Sequence, residues 1–302
     1  MAPKGGAAAA GRPLPTAVGG LRELAPRFDG FILDVWGVLH DGFKPYPGVI
    51  DCLEGLIAAE KRIVVLSNAP RRAVDVVTRM REIGIPDHLY HHVLSSGEET
   101  WQHLARRSDP FYAALGRSCL FIGPPRDEGM MAELGLVQVR TVEEADFILA
   151  TGPWGWEANA ARYEAMLEAA ARRELPFICA NPDLVVRHGE RLMICAGTLA
   201  QRYEALGGRV RWHGKPFLSV YETCFGMLGF PGRDRIIAVG DSLRTDIAGA
   251  NGAGIASVLV TGGIHAEDFG AAAAGIPDPH RLAAAIAAHG SRPDFIMPRM
   301  VW

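Results

Sequence analysis

The sequence predicts an α/β fold built on a doubly wound, mainly parallel sheet, with a second α/β segment inserted into it. Two observations lead there. Short continuous apolar runs recur at residues 30–35, 62–67, 146–151, 176–181, 235–241 and 256–261. Unbroken rather than alternating hydrophobicity is what a parallel strand buried on both faces requires. Amphipathic segments lie between them at 48–60, 72–83, 156–173 and 245–253. Strands that alternate with helices in this way lie side by side in one parallel sheet.

Taken in order, the chain opens on residues 1–20, rich in Ala, Gly and Pro and without a strong apolar segment. This composition predicts a disordered leader rather than a signal peptide. The run at 30–35 follows, then a helix, then the run at 62–67 and a second helix. Residues 95–98, Ser-Ser-Gly-Glu, stand where the chain would leave a first domain. The expected division is a core made of 21–97 and 209–302, with an inserted domain at 98–208. Five of the runs end in a small polar or acidic residue: Asp34, Ser67, Asn181, Asp241 and Thr261. Such residues cap helices well. In open α/β sheets, ligands also bind beyond the carboxyl ends of the strands. Capping explains the residue types but not the lysine and further aspartate described below.

A length of 302 residues suits two domains, and 49% hydrophobic residues supply ample core. A net charge of −3 and a pI near 6.4 argue against a nucleic-acid surface, which needs a basic patch. No apolar run reaches the length of a membrane span. The five cysteines are scattered and form no metal-type pair. This pattern fits a reducing cytosol, so a cytoplasmic protein is expected.

Four short motifs carry the chemistry: Asp34-Val35-Trp36-Gly37-Val38-Leu39, Ser67-Asn68-Ala69-Pro70, His213-Gly214-Lys215-Pro216, and Val239-Gly240-Asp241-Ser242-Leu243-Arg244-Thr245-Asp246. Singly, an Asp-Gly or Gly-Lys pair marks only a turn. Together and in this order they resemble the four signature motifs of the haloacid dehalogenase superfamily, over nearly the whole chain from Leu21. The resemblance implies a Rossmann-like core with an inserted α/β cap, and a phosphate-ester hydrolase. Asp34, Asp241 and Asp246 brought together would repel unless a cation sat among them. Oxygen ligands in a small, partly hydrated site favour Mg²⁺. By resemblance, Asp34 attacks phosphorus to form an aspartyl-phosphate that water later hydrolyses. The ligands so implied are the Asp34 carboxylate, the Trp36 backbone carbonyl and Asp241, while Asp246 acts through water or orients Lys215. Lys215, the Ser67 hydroxyl and the Asn68 backbone N–H are expected to hold the phosphoryl oxygens.

The long insertion resembles the large cap of the NagD-like branch, which includes pyridoxal phosphatases, p-nitrophenylphosphatases and bacterial nucleotide phosphatases. Asn181-Pro182-Asp183 and the form of the lysine motif support that branch. In such enzymes the cap supplies leaving-group specificity, which makes Asn181 and Asp183 candidate specificity residues. An Asx-type turn is the plain alternative for that pair. Trp154 and Trp156 stand on a Gly-rich loop, where packing against their own domain is the expected arrangement. The implied partner is a small phosphorylated metabolite, without nucleic acid or membrane, and a homodimer through the cap is expected.

The pattern breaks at Trp36. Most phosphatases of the superfamily carry a second aspartate there, which protonates the leaving oxygen and then activates water. An indole N–H is a donor only and performs neither task, although the backbone carbonyl at this position still offers a metal ligand. A subgroup of NagD-like proteins resembles this chain in its Asp-Val-Trp-Gly-Val-Leu-His stretch. The candidate substitutes are His40 and Asp41, where the superfamily places a mobile flap. A catalytically weak or inactive phosphate-binding, regulatory protein is therefore the alternative function. A dehalogenase needs no metal, so Asp241 and Asp246 argue against one.

Overall fold

The structure, a computed structural model, describes residues 14–157, 159–188, 191–229, 232–270 and 277–302. The chain forms two compact units, Met1–Ile63 with Phe230–Trp302, and Val64–Gly229. These bounds do not coincide with the expected division at 98–208. In chain order the first unit opens with β1 (Thr16–Ala17), β2 (Gly30–Leu33) and α1 (Val49–Ala58). Next come β3 (Arg62–Ser67), α2 (Ala73–Glu82), β4 (His92–Ser95), α3 (Ser96–Arg106), α4 (Pro110–Ala113), β5 (Ser118–Ile122), β6 (Val137–Val139) and β7 (Phe147–Ala150). The middle unit continues with α5 (Glu164–Arg172), β8 (Phe177–Cys179), β9 (Val185–His188), β10 (Arg191–Ile194), α6 (Ala196–Ala205), β11 (Val210–Trp212) and α7 (Leu218–Leu228). The first unit resumes with β12 (Ile236–Gly240), α8 (Ala248–Ala253), β13 (Ala256–Val260), α9 (Pro279–His289) and β14 (Phe295–Met297).

In the first unit the strands run in the order β1-β14-β13-β12-β2, every neighbouring pair parallel. The four residues of β2 are all buried, as are the five of β12, which is why both read as unbroken apolar runs. Helix α1 buries Val49, Cys52, Leu53 and Leu56, the i, i+3, i+4, i+7 stripe of a helix with one face on a core. It starts after Gly48, whose φ of 88° is left-handed and suits glycine.

The second unit holds a five-stranded, all-parallel sheet in the order β11-β8-β7-β5-β6. Two cores cover its two faces. Leu120, Ile122, Ile148, Ala150, Phe177 and Cys179 pack with Leu167 of α5 and Leu199 of α6. Their neighbours in sequence, Cys119, Phe121, Phe147, Leu149, Ile178 and Ala180, pack on the other side with Leu104, Tyr112 and Met130. Alternate residues pointing to opposite faces, both buried, produce the continuous hydrophobicity of these strands. All five cysteines are free and buried, as small hydrophobes would be.

Several expectations are corrected. Residues 1–13 of the expected leader lie outside the described residues, but Thr16–Ala17 pair with Phe295 and Ile296 and Val18 is buried. The leader therefore does not extend to residue 20. The helix expected over 156–173 begins as a 3₁₀ turn at Ala161–Tyr163 and becomes α-helical only at Glu164. The loop before it is tied down from outside, since the Trp154 N–H donates to the Tyr163 hydroxyl at 2.7 Å. The Trp154 indole lies against the Tyr163 ring, its N–H donating to the Phe121 carbonyl, so it packs within its own unit. Trp156 is instead 63% exposed. The helix expected from residue 245 begins as a π-turn over Leu243–Ile247, with Ser242 as its cap. Among the described residues no helix is long and apolar enough to cross a membrane.

Candidate active site

Strand register assembles the acidic cluster. Leu33 of β2 stands beside Val239 of β12, and the Asp34 N–H continues the ladder by donating to the Val239 carbonyl at 2.9 Å. Asp34 and Asp241 therefore emerge from the carboxyl ends of adjacent parallel strands, where α/β sheets bind ligands. The π-turn after β12 returns Asp246 to the same place. All three carboxylates are buried, with ligand oxygens within 4.8 Å of one another. Like charges this close repel by about 3 kcal/mol or more per pair at an effective dielectric near 20.

Glycines make the crowding possible. A Cβ at Gly37 or at Gly263 would run into the Asp241 carboxyl group, and one at Gly240 would meet Asp246. Backbone donors then aim the carboxylates. The Ile264 N–H donates to Asp241 Oδ2 at 2.8 Å, and the Ser242 N–H to Asp246 Oδ2 at 3.1 Å. Gly37 has in addition a left-handed φ of 79°. A divalent cation held by these carboxylates should bind about tenfold or more weakly in Gly37→Ala, through displacement of Asp241. A titration with Mg²⁺ checks this; an unchanged midpoint would remove Gly37 from the site.

Trp36 lies on the turn after Asp34, where the Leu39 and His40 N–H groups both donate to the Val35 carbonyl. Its indole is 56% exposed, stands edge-on to the His40 ring at 5.1 Å, and covers Gly42 so closely that a Cβ there would strike the ring. The two candidate substitutes differ. Asp41 Oδ1 accepts from the N–H groups of Lys44 and Phe43, both at 2.9 Å, and these donors hold its carboxyl below the usual range. Near neutral pH it is a carboxylate without a proton to give. His40 is buried, and its Nδ1 accepts from the Gly42 N–H at 2.9 Å, which leaves the proton of a neutral ring on Nε2. His265, which the sequence left without a role, accepts from the Leu243 N–H at 3.4 Å and faces Asp268 at 3.0 Å.

The second unit gathers the other candidates. Ser67 ends β3 buried, its oxygen accepting from the Ala69 N–H at 3.2 Å, so the hydroxyl proton is free to be donated elsewhere. The Asn68 side chain acts as a backbone mimic: Oδ1 accepts from the Lys215 N–H at 2.8 Å and Nδ2 donates to the Lys215 carbonyl at 3.1 Å. The same amide donates to Asp183 Oδ1 at 2.9 Å. Lys215 is buried and donates from Nζ to the Leu66 carbonyl at 3.2 Å, and the Lys215–Pro216 peptide is cis. The Asp183 N–H donates to Asn181 Oδ1 at 3.0 Å, so the Asx turn is formed here. Asn181, Asp183, Asn68 and Lys215 thus make one hydrogen-bonded group.

Beneath that group lies a buried polar set that sequence reasoning did not connect. Glu99 Oε2 accepts from the Gly214 N–H at 2.9 Å and stands 3.2 Å from His213 Nδ1, while His213 Nε2 contacts the Tyr112 hydroxyl. Burial would raise the Glu99 carboxyl; His213 beside it, with the Ser219 hydroxyl and the Gly214 N–H, brings it below the ordinary value instead. Burial also lowers the neighbouring His103. Nothing in the spacing of Glu99 to His213 announces this contact, because β11 brings them together in space. For the backbone donor at Ile264 there was a signal, the Gly262-Gly263 pair before it, which marks a close approach.

Residues 31–137 match the haloacid dehalogenase-like hydrolase family and residues 212–289 a related HAD-hydrolase-like family. A haloacid dehalogenase-like hydrolase from Brucella suis 1330 is 32% identical, superposes with a TM-score of 0.78, and is covered over its full length by 94% of this chain. The D-glycerol 3-phosphate phosphatase of Mycobacterium tuberculosis is 27% identical over 81% of this chain, a match spanning 66% of that protein, just under two thirds of its length. The ribonucleotide monophosphatase NagD of Escherichia coli K12 is 26% identical over 78% of this chain and 89% of its own length. With an α/β parallel sheet and aspartates at the ends of β2 and β12, the chain belongs to the haloacid dehalogenase-like hydrolases, in their NagD-like branch.

Proposed function

We propose that this phosphate-ester hydrolase removes phosphate from small monoesters, such as sugar phosphates or nucleotides, through an aspartyl-phosphate on Asp34. The observation that carries the reading is the set of three buried carboxylates within 4.8 Å at the ends of β2 and β12. The relatives named above support the substrate class, one acting on D-glycerol 3-phosphate and one on ribonucleotide monophosphates.

An all-oxygen donor set, oriented by backbone N–H groups and closed in by glycines, fits a hard cation such as Mg²⁺. Asp34, the Trp36 carbonyl and Asp241 would hold it, with Asp246 behind them. Bound there, the ion neutralises phosphoryl oxygens so that an anionic substrate can approach an anionic nucleophile. The rest is the work of the chain. An Asp34 oxygen attacks phosphorus as the ester oxygen leaves with its bonding pair. The Ser67 hydroxyl, the Asn68 backbone N–H and the Lys215 ammonium take up the charge on the phosphoryl oxygens. Water then attacks the same phosphorus, releasing inorganic phosphate and restoring Asp34. The working division is a core of 21–97 and 209–302 with a cap of 98–208, in a cytoplasmic protein that dimerises through the cap. Asn181 and Asp183 affect specificity through Asn68, whose amide Asp183 holds. The exposed indole of Trp36, in place of an acid, favours the second reading, a phosphate-binding protein with little turnover.

Hydrolysis of p-nitrophenyl phosphate tests the first reading. Chelation should lower the rate about 10²-fold or more, and Mg²⁺ should restore it where the larger Ca²⁺ does so poorly. Full activity in excess chelator would overturn the assignment. Asp241→Asn relieves repulsion while leaving an acceptor for the Ile264 N–H. It should raise the metal-free melting temperature by about 3 °C or more, since each kcal/mol of relieved repulsion is worth about 3 °C in a chain of this size. A lower melting temperature without metal would contradict the repulsion.

A further inference from the structure

The second unit holds the other group of side chains, among the described residues, whose ligand atoms lie within 4.8 Å of one another: Glu99, His103 and His213. Glu99 and His103 stand one helical turn apart on α3, so they share a face. His213 follows β11. Two polar atoms in this group are buried without a hydrogen-bond partner, Glu99 Oε1 and His213 Nδ1. The second is telling, because His213 Nδ1 lies only 3.2 Å from Glu99 Oε2, yet outside the angle of a hydrogen bond. Two ligand-type atoms at that distance, not joined by a hydrogen bond, suit two ligands of one ion. Bonds of about 2.0–2.1 Å at tetrahedral angles put neighbouring donors about 3.3 Å apart. The same geometry holds the centres of two bound imidazoles about 5 Å apart. The His103 and His213 ring centroids are separated by 5.2 Å.

We propose that Glu99, His103 and His213 form a second metal site, which takes a first-row transition ion such as Zn²⁺ and is separate from the acidic cluster. Two imidazoles and one carboxylate suit Zn²⁺, where Mg²⁺ takes oxygen ligands. The outer partners that such a site needs are in place. His213 Nε2, on the far side of the ring, meets the Tyr112 hydroxyl, an acceptor for the ring proton when Nδ1 is given over to an ion. The Gly214 N–H orients the carboxylate through Oε2. A cavity of about 130 Å³ lined by Glu99, Gln102, His103, Arg106, Ser108 and Thr223 reaches the group, and the half-buried His103 gives an ion its way in. The ion would tie α3 to the turn that carries Lys215.

The test uses Co²⁺ as the probe, added to chelator-treated full-length protein in a large excess of Mg²⁺ that keeps the acidic cluster occupied. One equivalent should bind with the strong visible bands of a low-coordinate Co²⁺ ion, and Zn²⁺ should bleach them. His103→Ala, at a half-buried position that tolerates truncation, should raise the half-saturating Co²⁺ about tenfold to a hundredfold, as should Glu99→Gln. Asp241→Asn should leave the bands unchanged. Absence of the bands in the wild type would overturn the proposal, as would their survival in both His103→Ala and Glu99→Gln. Their loss in Asp241→Asn would do so too, by assigning the ion to the acidic cluster. Because the readout is an absorption spectrum, it stands whether or not the protein turns over phosphate esters.

Discussion

Asp34→Asn should abolish turnover, lowering kcat by about 10⁴-fold or more while leaving the fold intact. The amide is nearly isosteric with the carboxylate and keeps the backbone hydrogen bond to Val239, so packing at the end of β2 is undisturbed. The amide is a poor nucleophile, so the proposed covalent step is lost. Removing one of three crowded negative charges should, if anything, raise the melting temperature without metal. Steady-state assay with p-nitrophenyl phosphate, together with thermal melts, checks both halves. Trapping with beryllium fluoride adds a third readout, since the adduct should form on the wild type and fail on the Asn variant. Substantial activity in a properly folded Asp34→Asn protein would exclude the covalent mechanism.

The next largest effect should lie in the leaving group. A missing general acid costs about 10²–10⁴ in rate, or roughly 3–5 kcal/mol of barrier, on the step that expels the alcohol oxygen. Aryl oxides leave without a proton and alkoxides do not, so kcat/KM should fall steeply from aryl to alkyl phosphates. Asp41 is a poor candidate to soften that slope, because the Lys44 and Phe43 N–H groups keep its carboxyl ionised. His40 is the better one, with its ring held by the Gly42 N–H and a proton left on Nε2. His40→Asn preserves an acceptor for that N–H and removes the acid. A gentle slope in the wild type that turns steep in His40→Asn identifies the histidine as the proton donor. A steep slope that Trp36→Asp flattens identifies the missing aspartate as its cause. A gentle slope in every variant would refute any link between Trp36 and proton transfer.

How far the sequence foretold all this depended on what each feature rests on. The strands at 30–35, 146–151 and 235–241 were legible because both faces of each parallel sheet are buried, leaving unbroken apolar runs. Asp34 and Asp241 were legible for the same reason, as polar residues ending such runs. The short edge strand β1 was not, since two residues carry no periodicity, and neither was the loop before α5, which the Tyr163 hydroxyl ties down. Asn68 was expected to offer its backbone N–H, while its side chain turned out to clasp the Lys215 peptide. The contact of Glu99 with His213 depends on tertiary pairing at a separation that no local pattern records.

The two units differ in how the chain runs through them. One is a continuous stretch, Val64–Gly229, whereas the other is split between the two ends of the chain. On the ribosome, the half that bears Asp34 therefore emerges early and waits for a neighbour encoded far downstream. Strand β2 gains its partner β12 only after the whole continuous unit has been made. Asp34 and Asp241 accordingly come together only once β12 has been made. A nascent chain that ends before β12 lacks the three-carboxylate cluster altogether.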